Sequence, residues 1–175
     1  MLKKIGLALA VAIAGVLVFA ATRPDSFHVE RSAYIHAPPA RIQPLLADFH
    51  RWQAWSPYEK LDPAMKREHS GAASGRGAVY AWEGKGGAGA GRMEITEATP
   101  EHLAIDLHFT KPMEGSDVAE FTLQPVGDST RVTWAMHGPS PYVTKVMGVF
   151  FDMDHMIGRD FETGLANLKS IAEKP

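Results

Sequence analysis

Tyr80 is the residue of this 175-residue chain whose type and setting come nearest to chemistry. It lies in Ala78-Val79-Tyr80-Ala81-Trp82-Glu83, where period-two alternation puts Tyr80 and Trp82 on one face of a strand. An inward phenol can donate a hydrogen bond to a carbonyl, but it catalyses proton transfer only beside a base that lowers its pKa. Alternation turns the ionisable groups Glu83, Asp106, His108 and His137 to the opposite strand faces. Tyr80 is thus a weak catalytic candidate, and a packed tyrosine with a satisfied hydroxyl is the plainer reading.

Other residues of reactive type are excluded or reassigned by their spacing. Asp152-Met153-Asp154-His155 offers at most two ligands from one helical turn, and no second His or Cys pair completes a metal site. No metal and no cofactor is therefore expected. Asp154 stands apart because it falls on an apolar helical stripe, where it would cap a loop amide or pair with Arg51 or Lys60. The glycine-rich stretch from Gly84 to Gly91 lacks the G-x-x-x-x-G-K-[ST] pattern and the following helix of a phosphate loop, so it is a hairpin or a flexible lid. No serine sits in a G-x-S-x-G elbow. Trp52 and Trp55, three residues apart, either pack a short helix onto the sheet end or line a pocket mouth.

The elements that hold these residues follow from periodicity. Phe27, Val29, Ala33 and Ile35 alternate with polar residues as a strand. Pro38-Pro39 stops it and opens a short helix from Arg41 to Phe49, with Pro44 in its first turn or at a kink. His50 to Tyr58 forms a second short helical turn, and Lys66 to Ser70 is a weak edge strand. Four further alternating runs begin at Arg92, His102, Val118 and Thr130, separated by turn signals, and with the Tyr80 strand they predict an antiparallel meander. Tyr142 to Lys174 contains no proline and repeats apolar residues at three or four, which predicts one helix of roughly 45 Å crossing the whole sheet. Gly148, Gly158 and Gly164 would bend that helix or let it approach the sheet closely.

The N-terminus carries a different message. Lys3 and Lys4 precede an uncharged apolar run from Ile5 to Ala21, about 25 Å long as a helix. It reads as a membrane anchor through residues 5–21 with the rest of the chain on the outer, periplasmic side. The alternative is a signal peptide cleaved after Val18-Phe19-Ala20, which leaves a soluble periplasmic or secreted protein. The expected division is residues 1–25 as anchor or signal with hinge, and 26–175 as a folded domain. Hydrophobic residues at 45% and charged residues at 22% exclude disorder for the bulk of the chain. A net charge of -2 and no basic stripe argue against nucleic acid as a partner. The absence of cysteine excludes disulfides and thiolate chemistry.

Several stretches are similar to the START-like (SRPBCC) superfamily, in its polyketide cyclase/dehydrase-type, membrane-tethered branch. They are ADFHRWQAWSPYEKLDP from Ala47, SGRGAVYAWEG from Ser74, TRVTWAMHG from Thr130 and MIGRDFETGLANLK from Met156. The resemblance covers about Phe27 to Glu173. It implies an α+β helix-grip fold, with an antiparallel sheet, two short helices after the first strand and a long C-terminal helix packed across. It also implies a pocket for a hydrophobic small molecule or lipid between sheet and helix. The inward strand residues would line it, namely Tyr80, Trp82, Met93, Ile95, Phe109, Phe121, Trp134 and Met136, with Trp52 and Trp55 at one end. Phe150, Met153, Ile157 and Phe161 would close it from the helix. Such a wall is apolar and poor in acid or base, which favours non-catalytic binding at the cell envelope. A cyclase- or dehydratase-like enzyme and an envelope protein-interaction module are the alternatives. Oligomeric state is not legible.

Overall fold

The computed structural model describes residues 2–174; Met1 and Pro175, the outermost residues of the two expected segments, lie outside the described residues. Helix α1 (Leu2–Ala21) leads into strand β1 (Ser26–Ile35) and helix α2 (Pro39–Leu46). Two 3-10 turns follow, Phe49–Ala54 and Pro57–Lys60. Then come β2 (Lys66–Gly71), β3 (Ala78–Glu83), β4 (Ala90–Ala98), β5 (His102–Lys111), β6 (Gly115–Val126) and β7 (Ser129–Pro139). Helices α3 (Tyr142–Phe150) and α4 (Met153–Ala172) end the chain. All seven strands form one antiparallel sheet in the order β1-β7-β6-β5-β4-β3-β2. β1 closes onto the last strand, so only β1 and β2 are edges.

Alternation decides which face is core. Val29, Ile35, Tyr80, Met93, Ile95, Leu103, Ile105, Phe121, Leu123, Val132 and Trp134 are all buried on the face that α4 covers. Cross-strand register stacks them, with Phe121 opposite Trp134 and Val29 opposite Met136. From α4 come Phe161, Leu165, Leu168 and Ala172, spaced at three and four. Gly164 marks a close approach to the core: a Cβ there would stand 2.7 Å from the Trp134 ring.

Two boundaries differ from expectation. The short helix runs Pro39–Leu46 rather than Arg41 to Phe49, because Asp48 accepts from the His50 amide and starts a separate 3-10 turn at Phe49. The single C-terminal helix is two helices. Phe151 is extended (φ -125°, ψ 130°), its amide closes α3 on the Met147 carbonyl, and the Asp152 side chain caps α4 by accepting from the His155 amide at 3.0 Å. No proline marks this elbow; an N-capping aspartate makes it.

Candidate functional site

Between the inner face of the sheet and α3–α4 lies an open cavity of about 1580 Å³. Eleven of the fourteen residues expected at a pocket stand on its wall. Trp52, Tyr80, Trp82, Met93, Phe109, Trp134 and Met136 come from the sheet side, and Phe150, Met153, Ile157 and Phe161 from the helices. Trp55, Ile95 and Phe121 are not on it; they are sealed in the solid core beneath the closed end. Both candidate tryptophans are held by packing, and their indole N–H groups donate to backbone carbonyls, Trp52 to Leu46 (2.9 Å) and Trp55 to Leu45 (3.0 Å). Only Trp52 also reaches the cavity.

The wall is less bare of ionisable groups than alternation predicts. Glu59, from the second 3-10 turn, is buried, with its carboxylate held from two sides. Arg67 Nε donates to Oε2 and the Tyr80 hydroxyl donates to Oε1, both at 2.6 Å. Burial first, and then the Glu59 carboxylate, push the Tyr80 phenol above its usual range. Tyr80 is therefore a neutral donor whose one proton is already committed to Glu59. Asp117 and Asp160 also border the cavity, and burial raises both carboxyls. At the outer rim Lys145 is buried and pairs with Asp25, which its cation holds below the ordinary carboxylate range.

Nothing in the periodicity marks Glu59, because a four-residue turn has no face to count. A signal does exist on its partner's strand: Arg67 and His69 occupy the half-buried positions of β2, where apolar residues would be expected. Two residues of the wall each keep a buried polar atom with no hydrogen-bond partner among the described residues, the Ser56 hydroxyl and the Trp134 indole N–H. Tyr58, half-buried beside Trp134, is pushed above its usual range by burial and by the Asp160 charge. Glu83, Asp106, His108 and His137 do face away from the cavity. Glu83 is bound by Lys111 and His108 by Ser116.

Asp154 does not pair with Arg51 or Lys60. It meets Arg31 Nη2 at 2.9 Å, and Arg31 Nε reaches Glu162 at 3.1 Å. Gly158 leaves the space through which the guanidinium passes. Among the described residues no group of three His, Cys, Asp or Glu side chains is placed to hold a metal ion.

A seven-stranded antiparallel sheet gripped by a C-terminal helix over a cavity is the helix-grip architecture. The chain belongs to the family described as polyketide cyclase / dehydrase and lipid transport, which matches residues 26–173. No curated protein matches the chain. Among solved structures, CV1439 from Chromobacterium violaceum is similar over 87% of this chain and 100% of its own, at 14% identity and a TM-score of 0.60. KanY is similar over 85% of this chain and 99% of its own, at 18% identity and a TM-score of 0.61. DynU16, from the dynemicin biosynthetic locus, shares 16% identity at a TM-score of 0.58 over 87% of this chain and 48% of its own. These likenesses concern the fold.

Proposed function

We propose that the chain binds a hydrophobic small molecule or lipid in the cavity between the sheet and α3–α4, at the cell envelope, without transforming it. The cavity carries this reading. At about 1580 Å³ it exceeds the roughly 300–1,000 Å³ of ordinary ligand pockets. Its aromatic and methionine wall suits a flat or flexible apolar body. Burial of apolar ligand area supplies affinity at about 25 cal/mol per Å², less the cost of ordering. Envelope location is supported by α1, whose residues Lys3–Ala21 are long and apolar enough to cross a membrane, as an anchor or as a signal sequence.

A cyclase- or dehydratase-like reading has one observation behind it: Asp117 and Asp160 border the cavity with raised pKa values, as a proton donor requires. Tyr80 does not add to it, since its proton is held by Glu59. The test uses the full chain in nanodiscs of saturated phosphatidylcholine, titrated with a brominated long-chain fatty acid. Trp52, Trp82 and Trp134 line the cavity, so their emission should fall along a saturable curve. A strictly linear fall, as simple partitioning into the bilayer gives, overturns the reading.

A further inference from the structure

Helix α3 carries an apolar face with no protein over it. Val143, Met147 and Phe150, spaced at four and three, are 59%, 41% and 67% exposed, and Phe151 at the elbow is 53% exposed. α3 is also tied to α1. The Tyr142 hydroxyl donates to the Leu17 carbonyl (2.8 Å), and Arg23 Nη2 donates to the Gly148 carbonyl (3.1 Å). The two contacts are six residues apart on each segment, about 9 Å of helix, so α3 runs beside the end of α1 with Tyr142 deepest along it.

The apolar residues of α1 are themselves uncovered, Ile5, Leu9 and Val11 all above 60% exposed. An apolar helix of this length, uncovered by the described residues except where its end meets α3, is matched by hydrocarbon. Leu17 lies one turn inside its end, which sets the start of α3 at the boundary between acyl chains and headgroups. The cavity rim is built from the same parts: Arg23 and Asp25 of the hinge, and Lys145, Gly148 and Phe150 of α3.

We infer that α3 lies in the bilayer interface beside α1, with its Tyr142–Val143 end deepest, and that the cavity opens there onto the lipid surface. An apolar ligand then enters from the bilayer without crossing water. The entry route rests on reading the cavity as a ligand site; the seating of α3 does not. Contact is apolar rather than electrostatic. Lys145 is committed to Asp25, and the elbow presents Asp152 and Asp154. A zwitterionic bilayer is therefore sufficient, and anionic lipid should not strengthen the contact.

The chain has no cysteine, so single-cysteine variants can carry a nitroxide. Val143→Cys, Met147→Cys and, as a remote exposed control on β1, Tyr34→Cys are placed in the full chain in phosphatidylcholine nanodiscs. The ratio of oxygen to water-soluble nickel-chelate accessibility should rise from Tyr34 to Met147 to Val143. Labels at Val143 and Met147 as open to the nickel chelate as the one at Tyr34 overturn the docking.

The route is read separately with Val143→Asn/Met147→Gln, two positions off the cavity wall. Transfer of a fluorescent fatty acid from vesicles into the full chain should slow about tenfold, as loss of interfacial seating requires. Uptake of the same probe from solution should stay unchanged. An unchanged transfer rate overturns the route. Deep labels with no saturable binding would sink the cavity reading and leave the docking standing. Water-exposed labels with saturable binding would do the reverse.

Discussion

At the scale of single residues, charged groups turned inward explain one another. Arg31 occupies an inward position of β1, between Val29 and Ala33, and Asp154 interrupts an apolar stripe on the helix. Each looks like a misfit in its own element, and the two meet across the layer gap. Arg67 on β2 and Glu59 in the turn stand in the same relation, with Tyr80 as the third member. Because Glu59 is buried, its partners are unequal. Arg67→Ala leaves a buried carboxylate without its cation and should cost about 3–5 kcal/mol. Tyr80→Phe removes one hydrogen bond to a charged group and should cost about 1.5–3 kcal/mol. Urea midpoints of the two variants read this order, and a Tyr80→Phe loss equal to or larger than that of Arg67→Ala contradicts it. Tyr80 was legible from alternation as an inward phenol. So was the plainer reading of it as a packed tyrosine with a satisfied hydroxyl; the acceptor was not, since Glu59 lies in a turn that carries no period.

At the scale of elements, strands were more legible than helices. Period two is short, so six or eight residues already fix a face, and the buried faces of β3 to β7 are those that alternation gives. A helix break is harder to see: the apolar repeat runs on through Phe150 and Phe151, and only Asp152, with its side chain on the His155 amide, announces a new N-terminus. The three glycines read as one class in the sequence and prove to be of two kinds. Gly148 has open space where a Cβ would go, while Gly164 faces the Trp134 ring at 2.7 Å and Pro57 at 3.1 Å. Alanine at Gly148 should therefore gain up to about 1 kcal/mol from helix propensity. Alanine at Gly164 gains the same propensity but must move an indole in a packed core, and should lose about 1–3 kcal/mol net. Opposite signs in thermal unfolding are the expected outcome; two gains would mean that α4 can lift from Trp134 freely.

At the scale of the whole molecule, acidic groups hold the layers together at their margins, and pH tests this directly. Arg31 draws Asp154 of α4 to β1 and lowers its pKa, and the His36 amide does the same for Glu173 beyond the end of α4. Lys111 lowers Glu83 between neighbouring parts of the sheet, and the Lys85 amide lowers Asp62 beneath the β3–β4 turn. A carboxyl lowered by folding contributes stability above the ordinary carboxylate range, about 3.9 to 4.3, and loses it as pH falls through the folded value. Asp117 has the opposite sign. Burial raises its carboxyl, so its contribution is complete below about 3.9 and is lost as pH rises through the raised value. Asp154→Asn should therefore lower the unfolding midpoint at pH 7, by about 0.5–1 kcal/mol for a pair exposed on one side. Asp117→Asn should raise the midpoint at pH 7, because it removes a half-buried charge from the cavity wall. Asp117→Asn should converge on the unmodified chain near pH 2, where that carboxyl is neutral folded and unfolded, and Asp154→Asn only once pH has fallen through its lowered folded value. An Asp117→Asn midpoint below that of the unmodified chain at pH 7 would show that the charge is used rather than tolerated. That result would remove Asp117 as the raised carboxyl that a proton donor in the cavity requires.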